Sequence, residues 1–203
     1  MILSRRCKVV VIVGIPGVGK TTVTRLMMQK AEEKGIKIRL VNFGDFMFEE
    51  AKARSLVSHR DEMRKLPLRV QYELQLHAAR SIARLTEEAE EDVLVVDTHA
   101  LIHTSSGYWS GLPLHVAEML KPDMIAVIEA DPAEIAARRL KDASIRVRAD
   151  EKSVEEIREF MYMARIAAIV AGMFTGASVP IILNREGEAE KASEELLHRI
   201  LML

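Results

Sequence analysis

The chain has 203 residues, 49% of them hydrophobic, enough to bury a large core within one domain. Lysine and arginine total 29 against 30 aspartates and glutamates, a formal net charge of −1. That balance excludes recognition of nucleic acid or an anionic membrane by a global positive field, so any phosphate chemistry must be local.

The single cysteine, Cys7, excludes an internal disulfide and suits a reducing cytoplasm. It falls in the first apolar run and reads as a small buried hydrophobe. No signal peptide is expected, because that run begins almost at once. The scarcity of Asn and Gln beside many Lys, Arg and Glu resembles thermophile composition. No internal repeat, low-complexity segment or linker divides the chain, so residues 1–203 are expected to form one domain.

Five apolar runs, at about 7–13, 36–43, 92–98, 123–129 and 178–183, predict strands. Helical patterns separate them, which predicts an α/β fold: a parallel sheet with helices on both faces. Ligands of such sheets bind beyond the carboxyl ends of the strands. The residues after each strand are therefore the candidates.

After the first strand come Gly14, Ile15, Pro16, Gly17, Val18, Gly19, Lys20, Thr21 and Thr22. Gly14, Gly19, Lys20 and Thr21 meet the pattern G-x-x-x-x-G-K-[ST], between a strand and a helix with Val23, Leu26, Met27 and Ala31 on one face. Backbone N–H groups can crowd around phosphate oxygens there, at the positive end of a helix. Lys20 suits the β/γ-phosphates of ATP, and the Thr21 hydroxyl suits Mg²⁺. This helix should end at Lys34-Gly35.

The second strand delivers Asn42, Phe43 and Gly44, with Asp45 placed to cap the next helix. In the cluster Arg60 to Lys65, Arg60 and Lys65 read as a solvated face. Arg64 is the candidate for a second phosphate. A helix over about 67–89 follows, with Val70, Leu74, Ala78, Ile82 and Leu85 toward the core.

The third strand ends at Asp97, in the form of a Walker B carboxylate that holds Mg²⁺. Thr98 and His99 follow at the same edge. His99 and His103 are four apart, but Ala100 stands where a zincin needs glutamate, so zinc is not expected. Residues 104–113 predict a loop, either packed by Trp109 or closing on a substrate.

Past the fourth strand, Asp131, Pro132 and Glu134 mark a helix start. Arg138 and Arg139 lie near its end, and Arg146 and Arg148 follow within eleven residues in all. Four arginines in a short link fit a lid, about 138–152, that brings charge onto transferring phosphates. Ser153 and Glu156 form a capping box for a helix to about Phe174. The uncharged stretch Ile166 to Leu183 reaches membrane-spanning length. It is broken by Gly176 and Pro180 and predicts a buried helix end leading into a buried strand, so no membrane is expected. The loop from Asn184 to Gly187 should lie beside the phosphate loop, and a last helix should cover about 188–203.

Taken together these residues resemble the archaeal-type adenylate kinases among the P-loop nucleoside monophosphate kinases. The resemblance rests on Gly14 to Thr21, Val41 to Met47, Arg60 to Leu66, Val96 to His99 and Ser106 to Pro113. It implies a P-loop NTPase fold with strand order 2-3-1-4-5, reversible phosphoryl transfer from MgATP to AMP giving two ADP, and a homotrimer. It places Asn42, Phe43, Gly44, Arg64, Thr98 and His99 toward AMP, and Arg138, Arg146 and Arg148 toward the transferring phosphates. The segment Asp142 to Arg148 is one residue longer than the family's Asp-x-Thr-Arg-x-Arg spacing. Two alternatives stay open: a kinase of another monophosphate, and a P-loop ATPase or switch acting on a protein or RNA. A GTPase is disfavoured, since N-K-x-D and D-x-x-G are both absent.

Overall fold

A computed structural model describes residues 7–104, 107–142 and 153–203. Its main sheet is built from β1 (Lys8–Val13), β2 (Ile38–Asn42), β3 (Val93–Asp97), β6 (Met124–Glu129) and β7 (Ile181–Leu183). The order is β2-β3-β1-β6-β7, and every pairing is parallel. Within the sheet this is the implied 2-3-1-4-5 sequence of strands. The labels shift because an antiparallel hairpin, β4 (Leu101–Thr104) with β5 (Gly107–Ser110), intervenes.

The strands alternate their side chains between two buried layers, as extended chain must. Val10 and Ile12 of β1 face α1 (Lys20–Glu33), α5 (Pro132–Asp142) and α7 (Ala189–Leu201). Val9, Val11 and Val13 face α3 (Leu68–Glu87) and α4 (Leu114–Leu120). The helix α6 (Val154–Thr175) joins the two layers: Ile157 and Phe160 sit in the first, Ala168 and Ala171 in the second.

The predicted boundaries hold at several ends. Gly35, with φ 71, closes α1 by donating its N–H to the Glu32 carbonyl. Ser153 and Glu156 cap α6 reciprocally, and Asp131 accepts from the Ala133 N–H before α5.

Four expectations need correction. The second strand stops at Asn42, and α2 (Phe43–Ala53) begins at once. Asp45 is therefore inside its first turn, bonded to Arg60, and does not cap it. Gly107 to Ser110, expected within a loop, is a strand: it pairs back on Leu101 to Thr104 and packs on α6 through Tyr108 and Phe160. The stretch Ile166 to Leu183 is not wholly buried. Ile169, Val170, Met173, Phe174, Ile181 and Leu183 are exposed, because no described residue covers that side of α6 and β7. No helix among the described residues is long and apolar enough to cross a membrane.

Candidate active site

The register of the sheet sets Ile12, Asp97 and Asn42 level across β1, β3 and β2. Their carboxyl ends form one rim, where the phosphate loop joins them. Two glycines show why the loop has its composition. A Cβ on Gly14 would meet the Ile128 carbonyl oxygen at 2.7 Å. Gly19 holds φ 83 and ψ 20 at the N-cap of α1, a left-handed backbone that other residues adopt only at a cost.

At the rim, the Lys20 ammonium donates to Asp97 Oδ1 and, at 2.6 Å, to the Thr98 carbonyl. Burial lowers the lysine's pKa below its ordinary value, opposed by the attraction of Asp97. The other Asp97 oxygen accepts from Asn42 Nδ2 at 2.9 Å. Asn42 Oδ1 in turn accepts from Arg60 Nη2 at 2.8 Å. A line of paired groups thus runs from the phosphate loop to the segment after β2. Thr98, a candidate on the acceptor side, contributes its carbonyl to Lys20.

His99 Nδ1 lies 2.9 Å from the Gly14 carbonyl oxygen and donates to it, which leaves Nε2 as the acceptor. Burial, reinforced by the Lys20 charge, pushes its pKa down to about 4, so the ring is neutral near pH 7. Arg64 also contributes to that depression. Arg64 is exposed on a 3₁₀ turn, Arg60–Lys65, and neither hydrogen bonds nor ion pairs with a described residue. It is a guanidinium near the site whose charge is not consumed by the fold.

The phosphate loop is gripped from outside by its carbonyls. Besides His99 on Gly14, Arg139 Nε donates to Pro16 O at 3.1 Å and Arg138 Nη1 to Gly17 O at 3.4 Å. Asn184 Nδ2 donates to Val18 O at 2.8 Å. Arg138 is further held by Glu186 at 2.7 Å and Glu134 at 3.1 Å. A carbonyl tied outward turns the following N–H to the other side of the planar peptide. The Gly17 and Gly19 N–H groups have no acceptor among the described residues. The loop therefore presents donors to an anion without first having to rearrange.

Ile15, Val18 and Phe43 have buried side chains, so each offers a ligand its backbone alone. Thr21 and Thr22 are exposed at the start of α1. Gly44 lies under the Arg60 guanidinium. Arg146 and Arg148 lie outside the described residues, as does most of the expected lid. Arg60 is exposed, as read from the sequence, but its bonds to Asn42 and Asp45 were not foreseen. Arg139 was read as one of four lid arginines and holds Pro16 instead, and the loop from Asn184 was placed beside the phosphate loop without the bond its side chain makes. Sequence reasoning missed Glu129, buried at the end of β6 and paired with Arg165 of α6 through Nε at 2.7 Å. The adjacent Arg138-Arg139 pair and the strand end at Asn184 carried a signal; the particular bonds depend on contacts 36 residues apart for Arg165 with Glu129 and 166 for Asn184 with Val18.

The comparisons agree with this architecture. A family model described as an AAA domain matches residues 13–158. Among solved structures, a shikimate kinase from Acinetobacter baumannii in complex with shikimate superposes with a TM-score of 0.60. It is 15% identical and covers 98% of this chain and 95% of its own, which is a likeness of fold. Among curated proteins, the chain is 49% identical over 190 residues to an adenylate kinase of Pyrococcus furiosus, covering 93% of each. It is 49% identical to one of Methanocaldococcus jannaschii, covering 94% of this chain and 96% of the relative. For one of Sulfurisphaera tokodaii the identity is 43%, over 96% of this chain and the whole of the relative. With near-complete coverage at these identities, the chain belongs to the adenylate kinase family.

Proposed function

We infer that this chain transfers the γ-phosphoryl group of ATP to AMP, reversibly, giving two ADP. The single observation that carries the reading is the rim itself. It has a phosphate loop whose Gly17 and Gly19 N–H groups have no acceptor among the described residues, Lys20 bound to Asp97, and a guanidinium, Arg64, that has no partner among the described residues and acts electrostatically on His99. Two anionic substrates need two such places, whereas an ATPase needs one.

No side-chain nucleophile is required. An AMP phosphate oxygen attacks the γ-phosphorus, and the bond from phosphorus to the bridging β-oxygen breaks, leaving ADP on both sides. Catalysis is alignment and charge neutralisation. Gly14 to Thr22 hold the ATP phosphates. Lys20, held at the strand end by Asp97 and the Thr98 carbonyl, lies where incoming phosphates replace those partners. Asn42, Phe43 and Gly44 through their backbone, Arg64, Thr98 and His99 form the acceptor side, within a segment of about 42–66 and the end of β3. Arg138 stands at the donor edge, beside Gly17.

Magnesium fits the donor set. The Thr21 hydroxyl is exposed, Asp97 adds a hard carboxylate oxygen, and no group of three or more metal-binding side chains occurs among the described residues. That is the pattern for an ion carried in on a nucleotide and held by one or two protein oxygens. When bound it offsets charge on the transferring phosphates.

The exposed apolar face of α6 and β7 supports a homotrimer, since β7 is also an unpaired sheet edge. Sedimentation at about three times the chain mass of 22.8 kDa supports it, and a monomer refutes it. The near-neutral charge and lone buried cysteine support a cytoplasmic protein without a nucleic-acid partner. The test of function is to mix the protein with MgATP and each nucleoside monophosphate in turn and follow ADP. Selective turnover with AMP supports the reading. Turnover with another monophosphate alone refutes it.

A further inference from the structure

The residue after β7 is bound to both halves of the donor site. The Asn184 N–H donates to the Glu129 carbonyl at 2.7 Å, fixing its backbone to the end of β6. Its side chain is 4% exposed, and Nδ2 donates to Val18 O. Asn184 Oδ1 is buried with no hydrogen-bond partner. The amide orientation is nevertheless set, because the reverse would press Oδ1 against the Val18 carbonyl oxygen, acceptor against acceptor. Among the described residues, the one hydrogen bond of this buried side chain is therefore the bond to the phosphate loop.

The peptide it holds matters. Val18 C=O and Gly19 N–H belong to one rigid plane and point in opposite directions. Gly19 has no Cβ, and one placed there would collide with Asn184 Nδ2, so only glycine admits the amide this closely. Glycine also leaves the plane free to turn over when nothing holds it, which would aim a carbonyl oxygen at the phosphates.

We propose that Asn184 is a positioning residue for the nucleotide phosphates: by holding the Val18 carbonyl it turns the Gly19 N–H toward them. The proposal rests on reading residues 14–22 as the site of the ATP phosphates. Asn184 acts through the loop and not on the acceptor, so its loss raises KM for MgATP and spares KM for AMP.

The test compares wild type, Asn184→Ala and Asn184→Asp, with Ile182→Val as a control for disturbance of β7, where Ile182 is fully buried in the core and makes no side-chain hydrogen bond. Tripolyphosphate binding is measured by calorimetry, because it reads the loop without an acceptor. The expectation for Asn184→Ala is at least about fivefold weaker tripolyphosphate binding and a similar rise in KM for MgATP, with KM for AMP within about twofold. Asn184→Asp should be worse, since it removes the donor and adds negative charge. A lowered melting temperature with tripolyphosphate affinity and KM for MgATP within twofold of wild type overturns the proposal. Should the variants fail to fold, amide NMR of the wild type decides. A downfield move of the Gly19 N–H on adding tripolyphosphate supports the proposal, and an unmoved Gly19 N–H overturns it. A wild type that binds tripolyphosphate, loses that binding on Asn184→Ala, yet forms no ADP from AMP upholds the role of Asn184 and refutes the kinase reading alone.

Discussion

Lys20, the first residue of α1, and Asp97, the last of β3, are bound to each other, and a second bond from Lys20 to the Thr98 carbonyl completes the hold. The two residues proposed to serve phosphoryl transfer are thus each other's partners. The lysine is mostly shielded, with 11% of its side chain exposed, and the aspartate keeps 22%. An anion entering the loop competes with Asp97 for the ammonium.

Lys20→Ala should abolish transfer and leave the fold intact. Asp97 keeps its bond from Asn42, so the carboxylate is not stranded. Turnover and far-UV circular dichroism check this together. A kcat within about tenfold of wild type, a barrier change of no more than roughly 1.4 kcal/mol, would contradict the role of the loop.

Asp97→Asn changes charge and keeps shape. It should raise the Mg²⁺ concentration needed for half-maximal rate while ATP binding is retained. The check is a Mg²⁺ titration of initial rate beside equilibrium binding of ATP. An unchanged titration would show Asp97 to be a strand-end residue serving Lys20 and Asn42 only.

Arg64 should govern AMP and not ATP. Arg64→Ala is expected to raise KM for AMP at least about tenfold, worth roughly 1.4 kcal/mol, with KM for ATP nearly constant. Arg64→Lys should restore little, because an ammonium lacks the planar fork that meets a phosphate with two N–H groups. Equal effects on both substrates would mark a structural arginine.

Glu129 is 2% exposed and accepts from Arg165 on two oxygens. Removing one partner strands a buried charge. Arg165→Ala should therefore cost about 3 kcal/mol of stability, somewhat less if water reaches Glu129 past the partly exposed arginine. The double variant Arg165→Met, Glu129→Gln should recover much of it. Urea denaturation measures both, and a single variant within about 0.5 kcal/mol of wild type would contradict the pairing.

How far the sequence carried depends on the range of each interaction. Glycine, lysine and threonine in the phosphate loop act through local backbone, so their spacing was readable. Asp97 was readable because a strand end is a local feature. Arg60 is exposed as read, but a charge cluster alone does not reveal that Asn42 and Asp45 lie opposite one member. The loop from Asn184 was readable as a neighbour of the phosphate loop, but the bond of its side chain to Val18 was not, because that partner is 166 residues away. The hairpin over Leu101 to Ser110 was missed because two four-residue strands carry too little alternation to register. Apolar character in Ile166 to Leu183 was visible, but it could not distinguish a face buried within the chain from one left open.

The most direct measurement follows the phosphorus. ATP labelled at the γ-position is incubated with the wild-type protein, magnesium and AMP, and the products are separated early in the reaction. Transfer to AMP predicts label in the β-phosphate of newly formed ADP, appearing only when AMP is present. Label released as inorganic phosphate at a rate indifferent to AMP would contradict it and would make the protein an ATPase.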